Sequence, residues 1–199
     1  GGPAGALTDV GMTTYVRRTE KRGSVGVEIV TGGVGIAFAE KHYEYWFFGP
    51  RTHASVYIIP ASTHGGLSSE ISMAVGLRGL SHVVSTGCTS STDAIFYAAQ
   101  HIALGRQDVM ITGGVDAPLA PGILAGFNLM TVLTKDWNDE PHRASRPFAI
   151  GRSGIVVAEG SYLFVLESLD SALERNAMIY AEITGYGSTC DAYHRVRLD

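Results

Sequence analysis

The sequence predicts a mixed, layered α/β domain. Three observations carry that expectation: short β-branched runs recur along the chain, most of them stop at glycines, and apolar residues between them repeat at helical spacing. Taken in order, residues 1–24 open on Gly1, Gly2, Pro3 and Ala4 and hold the one basic cluster, Arg17, Arg18, Lys21 and Arg22. They read as a lead-in or an incomplete element. Val25, Val27, Ile29 and Val30 form a buried-strand run that turns at Thr31, Gly32 and Gly33. Residues 36–48 are rich in aromatics and end at a Gly49-Pro50 break. Ser68 and Ser69, ahead of Glu70, Ile71, Met73, Ala74 and Leu77, predict a capped helix stopped by Gly76 or Gly79.

A second strand over residues 82–85 leads straight into Thr86-Gly87-Cys88-Thr89-Ser90. Ala94, Ile95, Ala98, Ala99, Ile102 and Ala103 then fall in two adjacent rows on one helix face, closed by Gly105. Residues 108–112 predict a third strand ended by Gly113-Gly114, and residues 123–130 a further helix. The polar stretch 134–152, with Pro141 and Pro147, is long enough to be a functional or interface loop. A strand over 162–166, a short helix over 169–175 and a last strand over 179–184, before Gly185 and Gly187, complete the order. No internal repeat, low-complexity tract or interdomain linker breaks it.

Composition narrows the function. With 199 residues, 45% hydrophobic and 17% charged, the chain can bury a core and is too apolar for intrinsic disorder. A net charge of -4 with scattered basic residues argues against a nucleic-acid or anionic-membrane surface. The apolar runs are too short and broken for a membrane-spanning helix, and the first twenty residues lack the pattern of a secretion signal. Two cysteines, Cys88 and Cys190, make no disulfide framework and suit a reducing cytoplasm.

Cys88 is the residue that carries chemistry. A strand running through Thr86-Gly87 into a helix puts its sulfur on a sharp turn, beside helix N-terminal amides that favour a thiolate and can bind a developing oxyanion. Gly87 keeps the turn uncrowded, and Thr89, Ser90 and Ser91 offer capping hydroxyls. Asp93 suits the first helical turn, although its charge opposes thiolate formation if it lies near the sulfur. A small buried residue filling a tight turn is the competing account of Cys88, and elbow position alone leaves both open.

Other motifs are weaker. Gly32-Gly33-Val34-Gly35 lacks the last glycine of a dinucleotide fingerprint because Phe38 stands there, so a plain turn is expected. His64-Gly65-Gly66 has no G-x-S-x-G partner, since the 151–155 segment ends in Ile155. Cys190 and His194, four apart, have no second ligand pair, and no metal is expected. His42, His53, His82, His101 and His142 have no partner that sequence assigns. Tyr43, Tyr45, Trp46, Phe47 and Phe48 could cover a channel, form an interface or pack as plain core.

The eight residues Val84-Ser85-Thr86-Gly87-Cys88-Thr89-Ser90-Ser91 closely resemble the nucleophile segment of β-ketoacyl synthases, the condensing enzymes of fatty-acid and polyketide assembly. Gly76-Leu77-Arg78-Gly79 resembles the family's approach to that strand, and Asp108-Val109-Met110 with Gly113-Gly114 the strand after the cysteine helix. Asn138-Asp139-Glu140-Pro141 and Ala144-Ser145-Arg146-Pro147-Phe148 are similar to its loop. Ala158-Glu159-Gly160, Phe164-Val165-Leu166-Glu167 and Asp191-Ala192-Tyr193-His194 follow in family order. The details lean toward elongating synthases of type II fatty-acid systems and the cysteine-bearing subunit of type II polyketide synthases.

The resemblance implies a thiolase-like αβαβα fold. On that basis residues 25–175 are most of the N-terminal half, with the nucleophile elbow, and residues 176–199 are the start of a C-terminal half. It implies that Cys88 accepts an acyl chain from the phosphopantetheine arm of an acyl carrier protein. A malonyl unit on a second carrier then loses carbon dioxide and attacks the held acyl group. The family's two histidines for that step lie in loops downstream of residues 191–194, beyond the last residue, Asp199. A fragment, a split enzyme completed by another chain, and a noncatalytic relative all fit that expectation.

Phe127 is implied to line the acyl pocket or a dimer contact, with core packing as the alternative. His194 is implied to lie near the substrate pocket, with a structural hydrogen bond as the alternative. Arg143, Arg146 and Arg152 either meet an acidic carrier surface or belong to a solvated loop. The family reading calls for no cofactor, for a cytoplasmic protein, and for a homodimer or a heterodimer with a ketosynthase-like subunit. Leu80, Ser153 and the Arg195-Val196 pair depart from the family pattern. The rival readings are a noncatalytic partner that shapes chain length, and a thiolase-like acyltransferase that uses coenzyme A.

Overall fold

Alternation of β-branched residues with almost nothing polar makes β1 (Val25–Val30) a strand buried at every position. Such a strand needs cover on both faces, which a parallel sheet with crossover helices supplies. In the computed structural model, which describes Met12 and residues 23–194, β1 pairs in parallel with β2 (Ser81–Val84) and β3 (Val109–Asp116). Strand β4 (Gly160–Glu167) returns antiparallel to β3, so the order is β2-β1-β3-β4 and the sheet is mixed, as expected. Of the lead-in only Met12, Gly23 and Ser24 are described, and Arg195 and Val196 lie outside the described residues.

The crossovers are helical. Between β1 and β2 run α1 (Ile36–Phe48), α2 (Ile58–Ser62) and α3 (His64–Val75); between β2 and β3 runs α4 (Ser90–Ala103). Helix α5 (Pro121–Leu129) and the long polar loop separate β3 from β4, and α6 (Leu169–Glu174) follows β4. Alternate residues of β1 split between the two faces. Val25, Val27 and Ile29 join Met12, Ile71, Leu77, Val109 and Ile111 in one core under α3, while α4 lies across β1 and β3 with Ala94 and Ala98 fully buried. Each large aliphatic side chain so covered contributes about 1.5–3 kcal/mol.

Three sequence expectations are corrected. The helix expected to be capped by Ser68 and Ser69 starts earlier, at His64; both hydroxyls donate back to the Gly65 carbonyl, at 3.4 and 3.3 Å, from inside it. It stops at Gly76, whose φ of 71° is left-handed. Strand β3 does not end at Gly113-Gly114 but runs on to Asp116. Gly113 has φ 136°, and a Cβ there would sit 2.2 Å from the Tyr162 carbonyl oxygen on β4, so glycine continues the ladder instead of breaking it. Residues 179–184 form no strand. Residues 177–194 carry no helix or strand, because the segment pairs with neither edge of the sheet.

One residue of β1 breaks its apolar pattern: Glu28 is only 3% exposed, and burial pushes its carboxyl up from 4.5 to about 7. A carboxyl raised in the folded state contributes stability that is complete below about pH 4.5 and is lost as pH climbs through about 7. In chelator-containing buffer the protein should therefore lose roughly 3 kcal/mol relative to Glu28→Gln between about pH 4 and pH 8, measured by urea unfolding. Gly113→Ala should cost at least about 2 kcal/mol and loosen the β3–β4 ladder, seen as faster amide exchange in β4.

Candidate active site

The chain leaves β2 at Val84 and passes through Ser85 and Thr86 into a single 3-10 turn, Gly87–Thr89, before α4 begins at Ser90. Gly87 sits at φ 73° with open space around its Cβ position, so backbone conformation and not crowding selects glycine. Cys88 follows at the crest of the turn and is exposed. The N–H groups of Gly87 and Cys88 precede the first hydrogen bond of the turn and have no intrahelical acceptor.

Hydroxyls and one carboxylate hold this turn. Ser90 Oγ accepts from the Thr86 N–H at 2.7 Å and donates to the Gly87 carbonyl at 2.6 Å, closing the turn on itself. Asp93, buried on the first turn of α4, accepts from the hydroxyls of Thr86 and, at 3.2 Å, Thr89. Its other oxygen accepts from the phenol of Tyr186, whose ring stacks on Phe96 at 3.9 Å with an interplanar angle of 11°. Asp93 therefore points its charge into hydroxyls from both sides of the turn. Gly114 on β3 admits the start of α4, since a Cβ there would lie 2.2 Å from Ser91 Oγ. Sequence reading placed Asp93 in the first turn but missed Tyr186, which lies 93 positions away with no local pattern to mark it.

The glycine turn after β1 is a turn, as expected. Its amides are occupied from within: Gly32 and Gly33 donate to Asp116 Oδ1 at 3.2 and 2.8 Å, and Val34 donates to Thr31 Oγ1 at 2.9 Å. The N–H of Gly122, at the head of α5, is taken up by the Glu40 carboxylate.

Phe127 is half-buried on α5, and His194 is exposed in the irregular C-terminal segment, with its ring 6.4 Å from that of Tyr193. These two and Cys88 stand on three separate elements. Two cavities, of about 270 and 310 Å³, are lined by other residues, including Leu133, Trp137 and Ile155 in the first and Val34, Tyr57 and Leu67 in the second. The loop arginines are tied down locally. Arg146 stacks 3.8 Å over Trp137, Arg143 pairs with Glu140 at 2.5 Å, and Arg152 donates to the Ala149 carbonyl at 2.9 Å. No described helix is long and apolar enough to cross a membrane.

Comparison with known proteins assigns the family. The family model of the β-ketoacyl synthase N-terminal domain matches residues 4–172. The 3-oxoacyl-[acyl-carrier-protein] synthase 2 of Rhizobium meliloti is 38% identical over 190 residues, which cover 95% of this chain and 44% of that protein. A solved type II polyketide ketosynthase, in complex with its acyl carrier protein and bound to a hexaketide, superposes with a TM-score of 0.80. It is 30% identical, and the match covers 86% of this chain and 43% of that one. The ishigamide ketosynthase/chain length factor gives a TM-score of 0.71 at 30% identity, over 86% and 42%. The chain spans about half the length of the curated relatives it matches.

The hydrogen bonds at Asp93 make a stability prediction. Asp93→Ala removes the acceptor shared by two threonine hydroxyls and the Tyr186 phenol and should cost roughly 2 kcal/mol in urea unfolding, against about 1 kcal/mol for Tyr186→Phe.

Proposed function

The chain belongs to the β-ketoacyl synthase family, and from that premise we propose that it carries the acyl-accepting cysteine of a ketosynthase of type II fatty-acid or polyketide assembly. The observation that supports this reading is the exposed Cys88 at the crest of a strand-to-helix turn, inside the segment that resembles the family's nucleophile. In the first half-reaction the Cys88 thiolate attacks the carbonyl carbon of an acyl thioester. A new carbon–sulfur bond forms, the carrier's sulfur leaves and takes the proton that Cys88 gave up, and the acyl group stays on Cys88. The N–H groups of Gly87 and Cys88, which have no intrahelical acceptor, are the proposed donors to the developing oxyanion. Asp93, with its charge absorbed by Thr86, Thr89 and Tyr186, acts as a positioning residue for the turn.

The second half-reaction is decarboxylation of the malonyl unit and attack of its carbanion on the acyl group, which returns Cys88 as the leaving thiolate. The resemblance assigns that step to histidines of loops that follow residues 191–194, and to Cys88 the capture of the acyl group. Residues 25–175 are read as the N-terminal half of the ketosynthase fold and residues 176–199 as the start of the C-terminal half, with Phe127 in the first and His194 in the second as pocket residues. The proposed partners are an acyl carrier protein and a second ketosynthase-like subunit; among the solved relatives one ketosynthase is in complex with its acyl carrier protein and another is a ketosynthase/chain length factor. Retention of Cys88 favours the acylating role over a noncatalytic chain-length partner.

Intact-mass analysis of the assembled protein, incubated with an acyl carrier thioester, tests the proposal. One acyl adduct is expected, absent in Cys88→Ala and retained in Cys190→Ala. No adduct, or one that survives Cys88→Ala, overturns it.

A further inference from the structure

At the end of α4 opposite Cys88, side chains from three elements meet. Glu28 on β1, His82, which is its register partner on β2, and His101 in the last turn of α4 bring one carboxylate oxygen and two imidazole nitrogens within 4.8 Å of one another. His101 Nε2 stands 3.6 Å from Glu28 Oε2, and the two imidazole rings are 6.0 Å apart. That separation is too long for a hydrogen bond. Glu28 Oε2 and His101 Nδ1 are buried without hydrogen-bond partners, as is Oγ1 of Thr112, the register partner of Glu28 on β3. A carboxylate 3% exposed with an unsatisfied oxygen is expensive. The neighbouring histidine does not neutralise it: burial, with the charges of Arg106 and His82, pushes the His101 imidazole below its usual range.

The geometry points to a binding site for one divalent transition-metal ion of the zinc class, held by Glu28, His82 and His101. Metal–ligand bonds of 2.0–2.1 Å in a tetrahedral site set ligand atoms about 3.4 Å apart, close to the Glu28–His101 separation. His82, exposed on the edge strand, closes the remaining gap by a small swing and gives the ion its way in. Two neutral imidazoles and one carboxylate suit zinc and its neighbours, whereas calcium and magnesium want oxygen alone. The site lies at the negative end of the α4 dipole, which favours a cation, while Arg106 just beyond the helix opposes one. An ion here would staple α4 to β1 and β2. Along α4 it stands roughly 17 Å from the turn that carries Cys88, which makes it structural, and it does not rest on the acyl-transfer reading.

Zinc chloride titrated calorimetrically into the chelator-stripped protein tests the site. One equivalent should bind and raise the Tm, and His82→Ala and Glu28→Gln should each weaken binding by more than about tenfold. His82 is exposed and Gln matches Glu in shape, so both variants are expected to fold, with Glu28→Gln at least as stable as the wild type without metal. The cobalt-substituted protein should show tetrahedral visible bands and no sulfur-to-cobalt charge transfer. Failure of zinc to bind, binding that survives both substitutions, or a sulfur charge-transfer band that places the ion on Cys88 or Cys190 would each overturn the assignment.

Discussion

A single buried carboxylate, Asp93, sets the shape of the turn on which the proposed chemistry depends. An ionised carboxyl out of water is tolerated only where donors surround it, and Asp93 has the hydroxyls of Thr86, Thr89 and Tyr186. Two of those donors come from the turn itself, so satisfying the charge fixes the backbone that lifts Cys88 into solvent. The third comes from the irregular C-terminal segment. The same interaction, with the stacking of Tyr186 on Phe96 of α4, thus couples the turn to a stretch of chain that has no regular secondary structure.

The sheet makes the turn possible. Parallel pairing of β1 with β2 and β3 obliges the chain to cross over by helices, and α4 is the crossover that begins at the candidate nucleophile. Its approach to β3 is close enough to require glycine at position 114 beneath Ser91, while Gly113 beside it admits the Tyr162 carbonyl of β4. The glycine pair that looks like a strand terminator is a packing device. It lets one strand take a helix on its face and an antiparallel neighbour on its edge.

The two ends of α4 carry opposite electrostatics. At its N-terminus the turn that carries the exposed Cys88 leaves backbone amides without intrahelical acceptors, a setting for developing negative charge. At its C-terminus His101 approaches a buried glutamate and an exposed histidine, a setting for a cation. Burial raises Glu28 and lowers His101, so neither partner neutralises the other well by exchanging a proton. The helix is therefore more than a spacer between strands: it starts at the turn that carries Cys88 and ends against Glu28 and His82 of the sheet.

Much of this was legible in the chain itself. Strand runs, the Ala-rich face of α4, the glycine stops and the turn at Cys88 are short-range patterns, set by side-chain spacing and by which residues tolerate a left-handed φ. The ordered motifs around that turn were enough to identify the family. What sequence could not supply were pairings across long separations: Asp93 with Tyr186, the amides of the 32–33 turn with Asp116, and Glu28 with His82 and His101. The expected strand over residues 179–184 failed for the same reason, since β propensity is local but a strand exists only where the segment pairs with a neighbour, and this one joins neither edge of the sheet. Sequence alone determined most of the elements, their order and the candidate nucleophile, Cys88. The tertiary structure decided which buried charges found partners, because those partners are brought together by the sheet register and the seating of α4, not by distance along the chain.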